Sequence, residues 1–178
     1  MAPLEISPRI ISRYDALVLI GRATWAGLTV FERLDVLQDY HKDESVLNIQ
    51  VLTSEDYYKY AILTRDVELS NDDLHDIYSH KFSGVKNEYL ETLLVSHDIN
   101  VAQVEGDVEC LRVCDCCHFK TIDCNREAYD ICRVCHWEEL PPAYWEEGGM
   151  KNYQDRLAND PEKLTRADLM YYRRDAVG

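Results

Sequence analysis

Two short cysteine pairs are the residues of this chain whose spacing speaks most directly of chemistry. Cys114 and Cys117 are separated by two residues, as are Cys132 and Cys135, and fourteen residues lie between the pairs. A C-x2-C turn lets two sulfurs of one tight loop reach the same ion, and two such turns complete the tetrahedral shell that zinc prefers. The fourteen intervening residues suit one β-hairpin that brings the turns together. The expectation is one structural zinc ion held by Cys114, Cys117, Cys132 and Cys135 in a zinc-ribbon module. A degenerate site that keeps the fold without the ion is the alternative. Four thiolates close the shell, whereas catalytic zinc keeps an open position for water, so metal-assisted hydrolysis is disfavoured. No H-E-x-x-H pattern accompanies the pairs.

All seven cysteines fall between residues 110 and 135. A disulfide framework prefers an even count and a secretory context, and the N-terminus MAPLEISPRI has no basic stretch leading into an apolar one. Cys110, Cys116 and Cys124 are left over and read as small buried hydrophobes or incidental thiols. Cys116, inside the first turn, could compete with Cys114 or Cys117. His118 and His136 each follow a pair directly, but two complete pairs make a Cys-to-His exchange unnecessary. The segment from 110 to 140 is too short to bury a useful core alone. Structural zinc contributes on the order of 10 kcal/mol in small modules and would dominate its stability.

The elements that must position these turns read as helices first and strands later, an α+β chain. Ser12 precedes Tyr14, Leu17, Val18 and Ile20, predicting a short helix that frays near Gly21. Thr29-Val-Phe-Glu32 has the capping-box pattern, followed by an apolar stripe of Phe31, Leu34, Val36, Leu37 and Tyr40. Thr53-Ser-Glu-Asp56 and Ser70-Asn-Asp-Asp73 predict two further N-termini, the second burying Leu74, Ile77 and Tyr78. Asn87 to Val95 places Tyr89, Leu90, Leu93 and Leu94 on one helical face. Near residue 99 the pattern changes. Val101 and Val104, the turn Gly106-Asp107, then Val108, Leu111 and Val113 predict a hairpin, with short strands at 119–122 and 129–131. Pro141-Pro142 and Gly148-Gly149 break regular structure, and Thr165-Arg-Ala-Asp168 predicts the cap of a last helix. The expected organisation is an acidic helical domain over 1–100, then a zinc-ribbon module with a helical tail over 101–178, the boundary falling between 98 and 108.

Apolar residues make up 46% and charged residues 29%, the range of a globular protein. Net charge is −14, concentrated in residues 1–109, which carry 20 Asp/Glu against 9 Lys/Arg. Such a surface argues against nucleic acid, whose binding depends on neutralising phosphates with Lys and Arg. It is either a solvated face that maintains solubility or a face that steers a basic partner. The longest apolar stretch, Ala16 to Gly21, is far too short to span a bilayer. A cytoplasmic chain with no membrane partner and no small-molecule substrate is expected.

Cys114-Asp-Cys-Cys-His118 and Tyr129-Asp-Ile-Cys-Arg-Val-Cys-His-Trp-Glu138 resemble the bacterial cysteine-rich CPCC family. Its members read C-P-C-C-G and, after a short gap, Y-x-I-C-P-V-C-x-W-E. Phe82-Ser-Gly-Val-Lys-Asn-Glu-Tyr-Leu90 is similar to the G-V-x-N-E-Y-L that precedes the cysteines in longer members. Asp115 and Arg133 stand where the family has prolines, and His118 where it has glycine, so the first turn must accept a side chain in an awkward backbone conformation. The resemblance implies a zinc-ribbon fold and, for some members, a role as immunity partner of a secreted toxin.

A toxin-neutralising binding protein, rather than an enzyme, is therefore the leading expectation. Asp66, Glu68, Asp72, Asp73 and Asp76 are candidate contacts to a basic toxin, with Asp43 and Glu44 as a second cluster. Tyr144 and Trp145 are candidate aromatic anchors, whereas Trp137 reads as a cover for the metal module. The alternative is a zinc ribbon that binds nucleic acid or a transcription complex, for which Arg112, Lys120, Arg126 and Arg133 supply a weak basic strip.

Overall fold

The computed structural model describes residues 9–41, 68–124, 130–138 and 149–174. Its mixed helices and strands make the chain α+β. A short strand β1 (Arg9–Ser12) leads directly into α1 (Arg13–Gly27). Ser12 caps this helix, its hydroxyl accepting from the Asp15 amide. The helix does not fray at Gly21. A Cβ there would lie 2.8 Å from Cδ2 of Tyr78, so the glycine admits the Tyr78 ring to the helix surface rather than ending the helix. Ala16, Leu17, Val18, Ile20 and Trp25 are all buried, which makes α1 the central helix among the described elements.

Thr29 and Glu32 form the expected capping box of α2 (Val30–His41), each satisfying a backbone amide of the other. The apolar stripe is less regular than expected: Leu34 is buried, whereas Phe31 is 42% exposed. Arg33 anchors the corner between the two helices by donating to the Trp25 carbonyl and lying over its ring. The N-terminus expected at 53–56 lies outside the described residues.

Helix α3 (Asn71–Lys81) starts on the Ser70–Asp73 capping box and packs Leu74 and Tyr78 against α1. Helix α4 (Asn87–Ser96) turns Leu90 and Leu94 fully inward, with Tyr89 and Leu93 partly covered on the same side. Between them, Gly84 takes φ +72. A Cβ at Gly84 would overlap the Leu111 side chain, so both conformation and space call for glycine.

The hairpin expected across residues 99–113 does not form. Strand β2 (Val101–Glu105) pairs in parallel with β1, more than ninety residues earlier in sequence. Strand β3 (Leu111–Val113) pairs antiparallel with β4 (Lys120–Asp123) instead. A buried arginine fixes the β1–α1 corner beside this sheet. Arg13 is 6% exposed and donates to the carbonyls of Phe82 and Val85, to Asn87 Oδ1 and to both oxygens of Glu109. Asn87 also donates to the Gly106 carbonyl, and Glu109 accepts from the Gly84 amide. The Gly-Val-Lys-Asn stretch of the sequence is thus the receptor for Arg13.

Two C-terminal helices follow, α5 (Gly149–Ala158) and α6 (Pro161–Met170). The cap of α6 is Asp160, with Pro161 opening the helix. Thr165, the expected cap, lies inside the helix and bonds back to the Pro161 carbonyl. Beyond α6 the chain lies between the helices and the β3–β4 hairpin. Lys86 donates from its amide to Met170, Lys120 to Tyr172, and Arg174 to His118. One apolar cluster accordingly includes Leu17, Val85 and Leu90 together with Cys114, Phe119, Trp137 and Tyr171. Among the described residues no helix is long and apolar enough to cross a membrane.

Candidate metal centre

Each cysteine pair sits in a turn of the same backbone design. In the first, the Cys114 amide donates to the Phe119 carbonyl at 2.9 Å and the His118 amide to the Cys114 carbonyl at 2.8 Å. In the second, Cys132 and Trp137 make the equivalent bond at 2.9 Å, and His136 and Cys132 the other at 2.8 Å. The sequence repeat behind this match is C-x-x-C-H followed by an aromatic residue. His118 and His136 both take left-handed φ values, +65 and +61. The awkward conformation foreseen for His118 is therefore present in both turns, at a cost of about 1 kcal/mol each. Histidine is one of the non-glycine residues that tolerate it.

The elements around the turns differ from the expected arrangement. The first turn is the tip of the β3–β4 hairpin, and the second is closed by a bridge between Ile131 and Glu138. Among the described residues, β4 pairs with β3 and Ile131 with Glu138, so each turn has its own β partner. Tyr129 lies outside the described residues.

Together the turns bring four sulfurs to one point. The Sγ atoms of Cys114, Cys117, Cys132 and Cys135 all lie within 4.8 Å of one another, and all four residues are buried. Cys114 and Cys135 approach to 3.7 Å, Cys117 and Cys132 to 3.5 Å. Sulfurs placed 2.3 Å from a central ion in a tetrahedron are about 3.8 Å apart, whereas a disulfide needs about 2.05 Å. The geometry matches a metal ligand set.

Electrostatics lead to the same reading. Hydrogen bonds from Cys114, Cys117 and Cys135, with a further one from Thr121, pull the Cys132 thiol far below its ordinary value. The same contacts push Cys117 and Cys135 far up. One negative charge is easily accommodated, but four at this spacing repel, so a cation is the condition under which all four ionise. Cys132 is the best-supported acceptor. It faces the Thr121 hydroxyl at 3.0 Å and the amides of Val134 and Cys135 at 3.4 and 3.5 Å.

Thr121 is 2% exposed, and sequence reasoning overlooked it. It and Ile122 are consecutive buried residues of β4, so no alternation marked one as facing the sulfurs. Trp137 covers the second turn, as expected; it is 5% exposed and its ring meets Tyr153 of α5 edge-on at 5.3 Å. Phe119 covers the first turn, with Arg173 over its ring.

Cys116 does not join the cluster. Its thiol faces the Met150 carbonyl, its own carbonyl accepts from Gln154, and burial pushes the thiol up to about 11. Cys110 and Cys124 are exposed rather than buried.

Of the acidic candidates, Asp72, Asp73 and Asp76 lie on helix α3 and not in the cysteine turns. Asp73 closes the α3 capping box, Asp72 accepts from the Tyr14 hydroxyl at 2.6 Å, and Asp76 lies 3.4 Å from His75 Nδ1. The Tyr14 and His75 rings stack at 4.4 Å. Asp72 chiefly, with Asp15 and Asp76, raises the Tyr14 phenol above its ordinary value. Glu68 is exposed just before the helix. Asp43, Glu44, Asp66, Tyr144 and Trp145 lie outside the described residues. Comparison of the chain with protein-family models, with curated proteins and with solved structures finds no match.

Proposed function

We propose that this chain is a zinc-stabilised binding protein, and specifically a toxin-neutralising immunity protein rather than an enzyme. The observation that carries this reading is the closed, buried set of four sulfurs. A shell completed by four thiolates leaves no position for substrate or water, so the ion acts as a scaffold. Zinc is the cation that best suits four cysteine sulfurs in a tetrahedron. Function then belongs to the surface. The net charge of −14 favours a basic partner, and electrostatic attraction of that kind speeds docking. Glu68, Asp72, Asp73 and Asp76 are the described candidates of the acidic face, with Asp72 on the Tyr14 hydroxyl and Asp76 beside His75. The CPCC-like cysteine motifs support the immunity role by analogy.

The reading as a nucleic-acid binder gains no support. Arg112 and Arg133 of the weak basic strip donate to backbone carbonyls of Asp123 and Ser83. Sequencing the neighbouring genes for a toxin domain, and co-expressing any that is lethal alone with this chain, tests the proposal. Growth rescue that is lost when Glu68 and Asp76 are both changed to Lys, in a variant with unchanged circular dichroism, is the expected result. A toxin that kills equally with and without this chain overturns the immunity role.

A further inference from the structure

Cys110 and Cys124 occupy the open end of the β3–β4 hairpin. The ladder pairs Leu111 with Asp123 and Arg112 with Ile122, so Cys110 and Cys124 are the next cross-strand pair in the same register. Their sulfurs lie 3.5 Å apart, and both residues are exposed. Neither belongs to the four-sulfur cluster. Each is held in place by its neighbour. Glu109 is fixed by Arg13 and the Gly84 amide, and the Asp123 amide donates to Asp130 at 2.8 Å. Directly opposed residues of an antiparallel pair have Cα atoms about 4.5–5.5 Å apart, inside the range that a disulfide bridges.

We propose that Cys110 and Cys124 form a reversible disulfide, separate from the metal cluster, that staples the hairpin carrying the first metal turn. The oxidant is a small-molecule disulfide, R–S–S–R. One cysteine thiolate attacks it, forming a mixed disulfide and releasing one R–S⁻. The second cysteine thiolate attacks the protein sulfur of that mixed disulfide, forming the Cys110–Cys124 bond and releasing the second R–S⁻. The two protons lost by the cysteines end on the released thiols, and two electrons pass from protein to oxidant. Exposure selects this pair: the four cluster cysteines and Cys116 are each at most 7% exposed. The disulfide encloses Cys114 and Cys117 in a short loop, so it restricts the metal-free form of the first turn more than the metal-bound form.

The test uses the zinc-loaded full chain incubated with oxidised glutathione, followed by alkylation and non-reducing peptide mapping. The expected product has one cross-link, between Cys110 and Cys124, with the other five cysteines still reduced. Cys110→Ser and Cys124→Ser should each give a glutathione adduct on the remaining partner and no cross-link. In competition with a chelator, the cross-linked chain should hold zinc about tenfold more tightly than the reduced one, or better. Cross-links to Cys116 or to the cluster cysteines, two glutathione adducts without a bridge, or an unchanged zinc affinity would each overturn the proposal. These readouts do not involve a toxin, so they stand apart from the immunity reading.

Discussion

Replacing Thr121 by Val probes how the protein supports its metal ligands. The substitution keeps a β-branched side chain of nearly the same size in strand β4 and removes only the hydroxyl. That hydroxyl lies 3.0 Å from Cys132 Sγ in a site where Thr121 is 2% exposed and Cys132 is fully buried. Of the donors outside the four-sulfur cluster aimed at Cys132, the other two are backbone amides at 3.4 and 3.5 Å, which mutation cannot remove. A hydrogen bond to a charged acceptor is worth about 1.5–3 kcal/mol, or roughly 10- to 100-fold in a binding constant. Sulfur is a diffuse acceptor, so the lower end applies, and zinc affinity should fall about tenfold. Chelator competition measures this, and cobalt substitution adds the thiolate charge-transfer band as a second readout. Thr121→Ser should keep the affinity while losing about 1 kcal/mol of stability from the missing methyl. An affinity for Thr121→Val within twofold of the parent chain would refute the argument and reduce Thr121 to a core residue.

Three further predictions concern the fold. Burial opposes ionisation of Glu109, but hydrogen bonds from Arg13 and the Gly84 amide outweigh it and hold the carboxyl below its ordinary value. Its contribution is therefore full above the unfolded value of about 4.3 and is lost as pH falls through the lower folded value. Glu109→Gln should cost about 1–3 kcal/mol at neutral pH, at the low end because the carboxylate is 38% exposed. Denaturant titrations of the two chains should converge as the pH falls below the ordinary glutamate range, and a constant gap would contradict the assignment. Gly84→Ala combines a left-handed backbone with overlap of Leu111 and should cost about 2–4 kcal/mol. Gly27→Ala, where a Cβ meets nothing within 4 Å at the end of α1, should instead stabilise by about 0.5–1 kcal/mol. Thermal unfolding of both variants decides whether close packing at Gly84 is real.

Local chemistry made part of this molecule readable in advance. Ser12, Thr29 and Ser70 cap helices because a hydroxyl near a helix start satisfies an amide whatever surrounds it. The four cluster cysteines were legible because metal coordination fixes spacing within each turn. What escaped was non-local. The β1–β2 pairing joins residues more than ninety apart, and nothing in four residues of β1 names its partner. Arg13 looks like any surface arginine at a helix start until Phe82, Val85, Asn87 and Glu109 close around it. The last helix opens at Asp160-Pro161 and not at the expected Thr165, because proline cannot extend a helix from within but readily opens one. Gly148-Gly149 was read as a break, yet Gly149 begins α5 and that helix covers the metal turns.

The metal centre itself is tested most directly by elemental analysis of the full chain purified without added metal. One zinc per chain is predicted, falling to none in the Cys132→Ser, Cys135→Ser double variant. Protein that carries no metal while remaining folded, or a double variant that retains a full equivalent of zinc, would contradict the account.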